Sequence, residues 1–439
     1  MSRLYSYLLK TTIMPIADRV MHTEIISNYK KLKKMRTWKE QEIINWQNNR
    51  LEELIFHAYN NTKFYKSVFD NLGLVPDDIK TSNDLKKLPV LTKEIIKQNF
   101  DQIIPDNINT LYYKKSSTGG STGDPLRYYQ DNRSWSMCNA NNIINWEKTG
   151  YSYGSKFIAL GSSSLFVNKG TSLKHKIYYK LKNKIGLNGV NMSDEVCSKY
   201  VNLLKKEKIN YIYGYASSIY LLAKYVTEKK EVLNIRACYT TSEVLKESFR
   251  KTIESAFNCA VVDCYGANDG GVTAFAEEKG FFEVGYNCII RQEQVDSEGI
   301  GPALLTDLFN YAMPLINYKI GDVIQIECKK NIDYPYNGQI INRIMGRTSE
   351  LLTLANGNTL TGPGFTVLFS AIPVDYYCIE KVDESSLVCW IMKLPNFTET
   401  HEQIILETIH KQAGAGINIE IKETEQPFLT KSGKRLYFK

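Results

Sequence analysis

SSTGGSTGDP, Ser116 to Pro125, separates two textures of sequence and carries the strongest chemical signal in the chain. Three glycines and five hydroxyl side chains fill its ten positions. Glycine lets backbone amides approach a polyphosphate closely, and hydroxyls add neutral donors that do not trap a product. Composition alone also admits a polar linker. The Walker arrangement is excluded, because no Gly-Lys-Ser or Gly-Lys-Thr follows at its spacing and no lysine is placed for the β- and γ-phosphates.

Upstream of this loop, residues 1 to roughly 100 read as helical, with Leu51, Leu54, Ile55 and Ala58 at helical spacing. Downstream, short apolar runs at Lys156 to Gly161, Tyr211 to Tyr215, Ile235 to Thr241 and Ala260 to Gly266 read as buried strands, several of them separated by helical stretches. One such helix carries Leu245, Phe249, Ile253 and Phe257 as a single stripe fit to lie on a sheet. The pattern is α/β. Near the end a helix is expected around Glu402 to Gln412.

The chain has 439 residues, 43% of them hydrophobic, more than one core commonly absorbs. Two domains are expected: a large amino-terminal body over 1–345, its sheets packed by helices, and a small mobile α+β domain over 346–439. Nine cysteines without a Cys-x-x-Cys pair suit neither a disulfide framework nor a zinc ribbon, which favours a cytoplasmic protein. The amino terminus, broken by Lys10 and Asp18, reads as neither signal peptide nor anchor. A net charge of +8 is too diffuse for nucleic acid. The basic run Lys30, Lys31, Lys33, Lys34 and Arg36 reads as a solvated helix face, or as a patch resting on anionic lipid.

Three further segments bear on chemistry. In VVDCYGANDGG, Val261 to Gly271, an apolar strand runs into Tyr265 and Gly266, with Asp269 close behind; the ring can stack on a purine and the carboxylate can hold Mg²⁺. In NYKIGDVIQI, Asn317 to Ile326, Gly321 and Asp322 are expected at a turn opening a strand, where the carboxylate could accept both ribose hydroxyls. Gly346 and Arg347 begin GRTSELL, and Lys431, Ser432, Gly433, Lys434 and Arg435 form a basic, flexible tail.

Taken in order, these segments resemble the adenylate-forming superfamily of acyl-CoA synthetases, peptide-synthetase adenylation domains and luciferases. Within it the chain is similar to the phenylacetate-CoA ligase branch and its capsular-polysaccharide-biosynthesis relatives, also through NNTKFYKSVF (Asn60 to Phe69), DLKKLPVLTKEII (Asp84 to Ile96) and GYASSIYLLAKYV (Gly214 to Val226). The resemblance implies that Ser117, Thr118, Gly119, Gly120, Ser121, Thr122 and Gly123 hold phosphates, that Tyr265, Gly266, Asp322 and Arg347 complete the nucleotide site, and that Asp269 serves Mg²⁺ where the family has glutamate. It makes Ser349 the hinge and Lys434 the catalytic lysine, although Ser349 and Glu350 replace two aspartates. Gly161, Ser162, Tyr213, Gly214 and Tyr215 are expected to line the acid pocket, without an obvious basic selector. No zinc is expected, since Ala276 to Val284 lacks cysteine and histidine.

The implied activity is ATP-dependent conversion of a carboxylic acid to its acyl-adenylate with release of pyrophosphate, then acyl transfer to CoA, an amino sugar or a carrier-protein thiol. The five histidines lie in none of these motifs, so general-base chemistry by histidine has no support. The rival readings are a nucleotide-binding relative without turnover and a membrane-surface scaffold.

Overall fold

A computed structural model describes residues 3–118, 126–161, 173–189, 192–276, 280–326, 336–347, 351–354, 359–361, 369, 372–414, 416–429 and 435–439. Its strands are β1 (Tyr113–Ser117), β2 (Arg127–Asp131), β3 (Phe157–Gly161), β4 (Lys184–Asn188), β5 (Tyr211–Tyr215), β6 (Ala237–Thr241), β7 (Ala260–Ala267), β8 (Val272–Ala276) and β9 (Phe282–Val284). They continue with β10 (Cys288–Gln292), β11 (Ile300–Asp307), β12 (Tyr318–Ile326), β13 (Ile340–Arg347), β14 (Leu351–Thr353), β15 (Thr359–Thr361), β16 (Val374–Lys381), β17 (Ser386–Lys393) and β18 (Asn418–Glu423).

The amino-terminal part is helical as its spacing predicts. Its longest helix, Glu40–Asn61, starts where Glu42 accepts a hydrogen bond from the Lys39 amide and buries Leu51, Leu54, Ile55 and Ala58. The Thr62 hydroxyl then caps the next helix, Lys63–Leu72, through the Tyr65 amide.

Eleven strands form one mixed sheet in the order β10-β11-β12-β13-β9-β8-β7-β6-β5-β3-β4. From β7 to β4 neighbouring strands run parallel, and from β7 to β10 each pair is antiparallel. Both faces of the parallel half are covered, which is why its strands read as unbroken apolar runs. Phe157, Tyr211, Ala237 and Tyr239 pack against the amino-terminal helices and the helix Asn132–Glu147. Ile158, Ile212 and Cys238 pack on the opposite face against the helices Asp194–Glu207, Ala216–Glu228 and Glu247–Phe257. Phe249, Ile253 and Phe257 are buried as their stripe predicts, while Leu245 precedes the helix and packs at the edge of the same cluster.

Two sequence expectations are corrected. Gly321 and Asp322 do not open a strand at a turn; they lie inside β12, where Gly321 has φ of 91° and the pairing with β11 shifts register between Pro302 and Leu304. This is a bulge, and the left-handed glycine lets the strand continue while re-aiming the next side chain. Nor is Arg435 part of a frayed tail: it is buried, 6% exposed, and donates to the Asp375 carbonyl at 2.9 Å.

Beyond β13 lies a second body of structure, the sheet β16-β17-β18 with the helix Glu399–Ala413 and a core of its own that includes Ile379, Ile391, Ile405 and Ile409. Met345 sits within β13, which stays paired with β12 through Arg347. In the basic run, Arg36 pairs with the buried Glu283 at 2.9 Å and Lys31 lies 4.8 Å from the Trp46 ring centre, so these two cations turn toward the body. No described helix is long and apolar enough to cross a membrane.

Candidate functional site

β1 and β2 form a hairpin, paired from Tyr113 with Asp131 to Ser117 with Arg127. Its mouth is closed by Thr118, whose amide donates to the Leu126 carbonyl and whose hydroxyl accepts from the Leu126 amide, both at 2.9 Å. Ser117 and Thr118 therefore stand at the base of the loop. Gly119, Gly120, Ser121, Thr122 and Gly123 lie outside the described residues, as do Ser162, Ser349 and Lys434.

Tyr265 and Gly266 occupy the end of β7, and Asp269 sits in the turn into β8. Tyr265 donates to Asp322 Oδ2 at 2.7 Å, and Tyr318 donates to Asp269 Oδ2 at 3.0 Å. Each pair joins the β7 end to β12, with tyrosine and aspartate exchanged between the two sides. In sheet order β12 stands four places from β7, a separation of about 19 Å were the sheet flat. The sheet must therefore curl, as strand twist requires, to bring the two elements into contact. Burial, then the charge of Asp322, pushes the Tyr265 phenol well above its ordinary range, so it remains a donor. Arg347, at the end of β13, is the register partner of Asp322. The fold thus gathers Tyr265, Asp269, Asp322 and the Arg347 backbone.

Gly161 ends β3, while Tyr213, Gly214 and Tyr215 end β5, at the carboxyl edge of the parallel strands where α/β sheets place ligands. Tyr213 packs 5.4 Å from the Trp146 ring centre, and Gly214 presses against Leu160 so closely that a Cβ would meet its carbonyl oxygen.

Sequence reading missed a group at the neighbouring strand end. After β6, Ser242 has φ of 69°, an uncommon conformation for a non-glycine residue, and Glu243 accepts from the Ser217 amide at 2.8 Å. Its other oxygen is buried with no partner among the described residues. Lys246 follows, donating to the Asp375 carbonyl at 3.1 Å. Desolvation first, and then Arg435, lower the Lys246 ammonium to about 7, with Asp375 and Glu243 opposing. A glutamate and a lysine three apart after an apolar strand were the available signal, and nothing local separates that signal from an ordinary helix start.

For magnesium, the described residues hold no cluster of three or more histidine, cysteine, aspartate or glutamate side chains. One carboxylate can serve when phosphate oxygens and water complete the shell, and Asp269, the carboxylate that the resemblance assigns to Mg²⁺, is 7% exposed with Oδ2 accepting from Tyr318.

No family model matches the sequence. The chain is 26% identical over 326 residues to Protein CapK of Staphylococcus aureus, covering 74% of this chain and 72% of the relative. It is 20% identical over 397 residues to the phenylacetate-coenzyme A ligase of Thermus thermophilus, covering 83% and 84%. Among solved structures, 2-hydroxyisobutyryl-CoA ligase in the postadenylation state with 2-HIB-AMP superposes with a TM-score of 0.69 at 15% identity, over 92% of this chain and 91% of that one. The fold is that of the adenylate-forming CoA ligases. In its thioesterification state, with 2-HIB-AMP and CoA, the same ligase superposes with a TM-score of 0.58 over the same shares. Within this ligase fold, the relatives by sequence are CapK and the phenylacetate-CoA ligases, the branch to which the motifs point.

Proposed function

We propose that the chain is an AMP-forming acid–CoA ligase that converts a carboxylic acid and ATP to an acyl-adenylate and pyrophosphate, then passes the acyl group to CoA. The observation that carries this reading is the curl of the sheet that brings Tyr265 to Asp322 beside Asp269. Asp322 accepts the ribose hydroxyls of ATP, with Tyr265 holding its carboxylate in place, and the hairpin that starts at Ser117 and Thr118 cradles the phosphates with Gly119 to Gly123. Arg347, next to Asp322 in register, reaches the nucleotide from β13. Bound at Asp269, Mg²⁺ would neutralise phosphate charge as the anionic carboxylate approaches. Lys434 carries a point charge to the α-phosphate; loss of one such preorganised contact costs roughly 100- to 1000-fold in rate. The acid lies against Gly161, Ser162, Tyr213, Gly214 and Tyr215.

The small carboxy-terminal unit begins after Arg347 in this reading, with Ser349 as its pivot. The higher TM-score with the postadenylation form supports an arrangement of that unit suited to the first half reaction. CoA is the acceptor favoured by the relatives' names; an amino sugar would instead place the chain in polysaccharide synthesis.

The test is acid-dependent pyrophosphate release across aryl, hydroxy, fatty and amino acids, with and without CoA. Turnover with at least one acid, followed by CoA-dependent loss of the adenylate, is expected. Silence across the panel with correctly folded protein that still binds ATP would replace this reading with a nucleotide-binding protein lacking turnover.

A further inference from the structure

Three lysines meet on the side of the body where the hairpin passes the amino-terminal helices. Lys114 lies on β1, three residues before Ser117, about 10 Å from the start of the phosphate loop at the rise of a strand. Lys182 and Lys184 flank Asn183, whose φ of 52° turns the chain from the helix Leu173–Leu181 into β4. The Lys114 ammonium stands 3.8 Å from the Trp135 ring centre, Lys182 5.2 Å from that of Tyr178, and Lys184 4.8 Å from that of Tyr179.

Among the described residues, none of the three is paired with a carboxylate. Burial alone lowers the Lys114 and Lys184 ammonium groups, each to about 8, with no carboxylate opposing it. Lys182, 8% exposed, is lowered to about 7 by burial and then by Lys184, with Lys114 also contributing. The one acid it feels, Asp18, already accepts from the Thr23 hydroxyl at 2.7 Å and the Ile26 amide at 2.9 Å. Lys182 itself donates to Asn139 Oδ1 at 3.2 Å. Ring faces offset part of the cost of such cations, but they do not cancel repulsion among three of them.

Beside the cluster lies a cavity of about 150 Å³, lined by Lys114 together with Thr23, Asn132, Trp135 and Tyr178. Asn132 is 9% exposed; its amide nitrogen donates to the carbonyls of Met21 and His22, while its Oδ1 is buried with no partner among the described residues. An orphaned buried acceptor asks for a donor such as a hydroxyl. A cavity of this volume admits a ligand the size of benzene. Cations without a carboxylate partner and an acceptor without a donor among the described residues, beside room for a compact molecule, together suit a hydroxylated anion.

We propose that this cavity binds the phosphate or carboxylate of a small hydroxylated molecule, the anion meeting Lys114 within the field of Lys182 and a hydroxyl meeting Asn132 Oδ1. The inference does not depend on the ligase reading, because binding is measured without nucleotide. Two sources share this chemistry: an anionic arm of the acid substrate, and a separate small anion.

Calorimetric titration at fixed ionic strength, with sulfate, glycerol 3-phosphate and malate as probes, tests it on the full chain. Saturable binding of at least one hydroxylated probe is expected, stronger than sulfate. Lys114→Met should weaken it by about thirtyfold or more, the usual consequence of removing one partner of a buried charge contact, and Lys182→Met, which acts through its field, by a smaller factor. Lys180→Met, at an exposed position of the same helix, should bind as the parent does. If Lys182→Met fails to fold, Lys114→Met on the hairpin decides. No saturable binding by the parent, or unchanged binding in the lysine variants, overturns the proposal. The source is read from pyrophosphate release: a KM for malate that rises about thirtyfold in Lys114→Met, with monocarboxylates unaffected, identifies a substrate arm, whereas calorimetric binding that persists beside a saturating monocarboxylate identifies a separate anion.

Discussion

Tyr265 and Asp322 are 57 residues apart in sequence and share a 2.7 Å hydrogen bond, so their substitutions should separate by role. Asp322→Ala removes the proposed ribose acceptor and should weaken ATP binding by about 100-fold or more, two charge-assisted hydrogen bonds being at stake. Tyr265→Phe leaves the carboxylate but removes the donor that aims it, and should cost about tenfold. Equilibrium ATP titration distinguishes them, and an Asp322→Ala variant that binds ATP like the parent would discard the ribose assignment. A second residue-scale expectation concerns Asp307, 1% exposed, whose carboxyl is pushed up to about 6 by burial, against the opposing hydrogen bonds from Ser134 and the Phe309 amide. Below the ordinary aspartate value of about 4 both folded and unfolded states hold the proton; between that value and 6 only the folded state does, so raising pH favours unfolding. Relative to Asp307→Asn, the parent should lose roughly 2 kcal/mol of stability as pH rises from 4 to 6.5. Urea denaturation at several pH values measures it, and a pH-independent difference between the two proteins would contradict the shift. Among these residues, Tyr265, Asp269, Asp322 and Arg347 were legible as motif positions. Tyr318, Glu243, Lys246 and the three lysines were not, because what makes each distinctive is a neighbour delivered by sheet curl or helix packing from distant sequence.

The elements themselves were the most legible level, since two-sided burial writes the parallel strands as continuous apolar runs; Tyr211 to Tyr215 is a strand with the bounds that its sequence implies. The Gly321–Asp322 step failed for an identifiable reason. A glycine followed by an aspartate has the composition of a turn, and only the cross-strand register with β11 reveals that the same positive φ serves a bulge inside β12. Gly214 illustrates a different hidden constraint, because β5 runs beside β3 with Gly214 opposite Leu160 and no space for a Cβ between them. Gly214→Ala should force the two strands apart and reduce stability by about 1 to 3 kcal/mol, the usual range for overpacking. The urea midpoint should fall accordingly, and because Tyr213 and Tyr215 of the proposed acid pocket would shift with the strand, KM for the acid should rise more than KM for ATP. Parent-like stability in Gly214→Ala would show that the strand pair yields without cost.

At the scale of the whole molecule, the carboxy-terminal unit meets the body at the start of the helix Glu247–Phe257. Lys246 reaches the Asp375 carbonyl, the Arg435 guanidinium lies 4.9 Å from the Phe249 ring centre, and Lys246 stands 5.3 Å from the ring centres of both Tyr377 and Tyr437. Arg435 follows Lys434 directly, so in the proposed mechanism the seat of Arg435 bears on the approach of Lys434 to the nucleotide. In the proposed rotation about Ser349 these contacts would be broken, so they would favour the proposed adenylating arrangement and leave the other unaffected. Lys246→Ala should therefore slow adenylation by about tenfold, through loss of one charged hydrogen bond and its ring contacts, while acyl transfer from preformed adenylate stays near the parent rate. Lys434→Ala should lose about 100-fold or more in adenylation, with transfer likewise retained. Lys434, proposed to reach the reacting phosphate, should matter more than Lys246, which only seats its neighbour, and neither should matter once the adenylate is made. Single-turnover measurement of both half reactions decides it. Equal losses in the two half reactions would indicate a folding defect, and parent-like adenylation by Lys246→Ala would mean that the small unit finds its adenylating position without this contact.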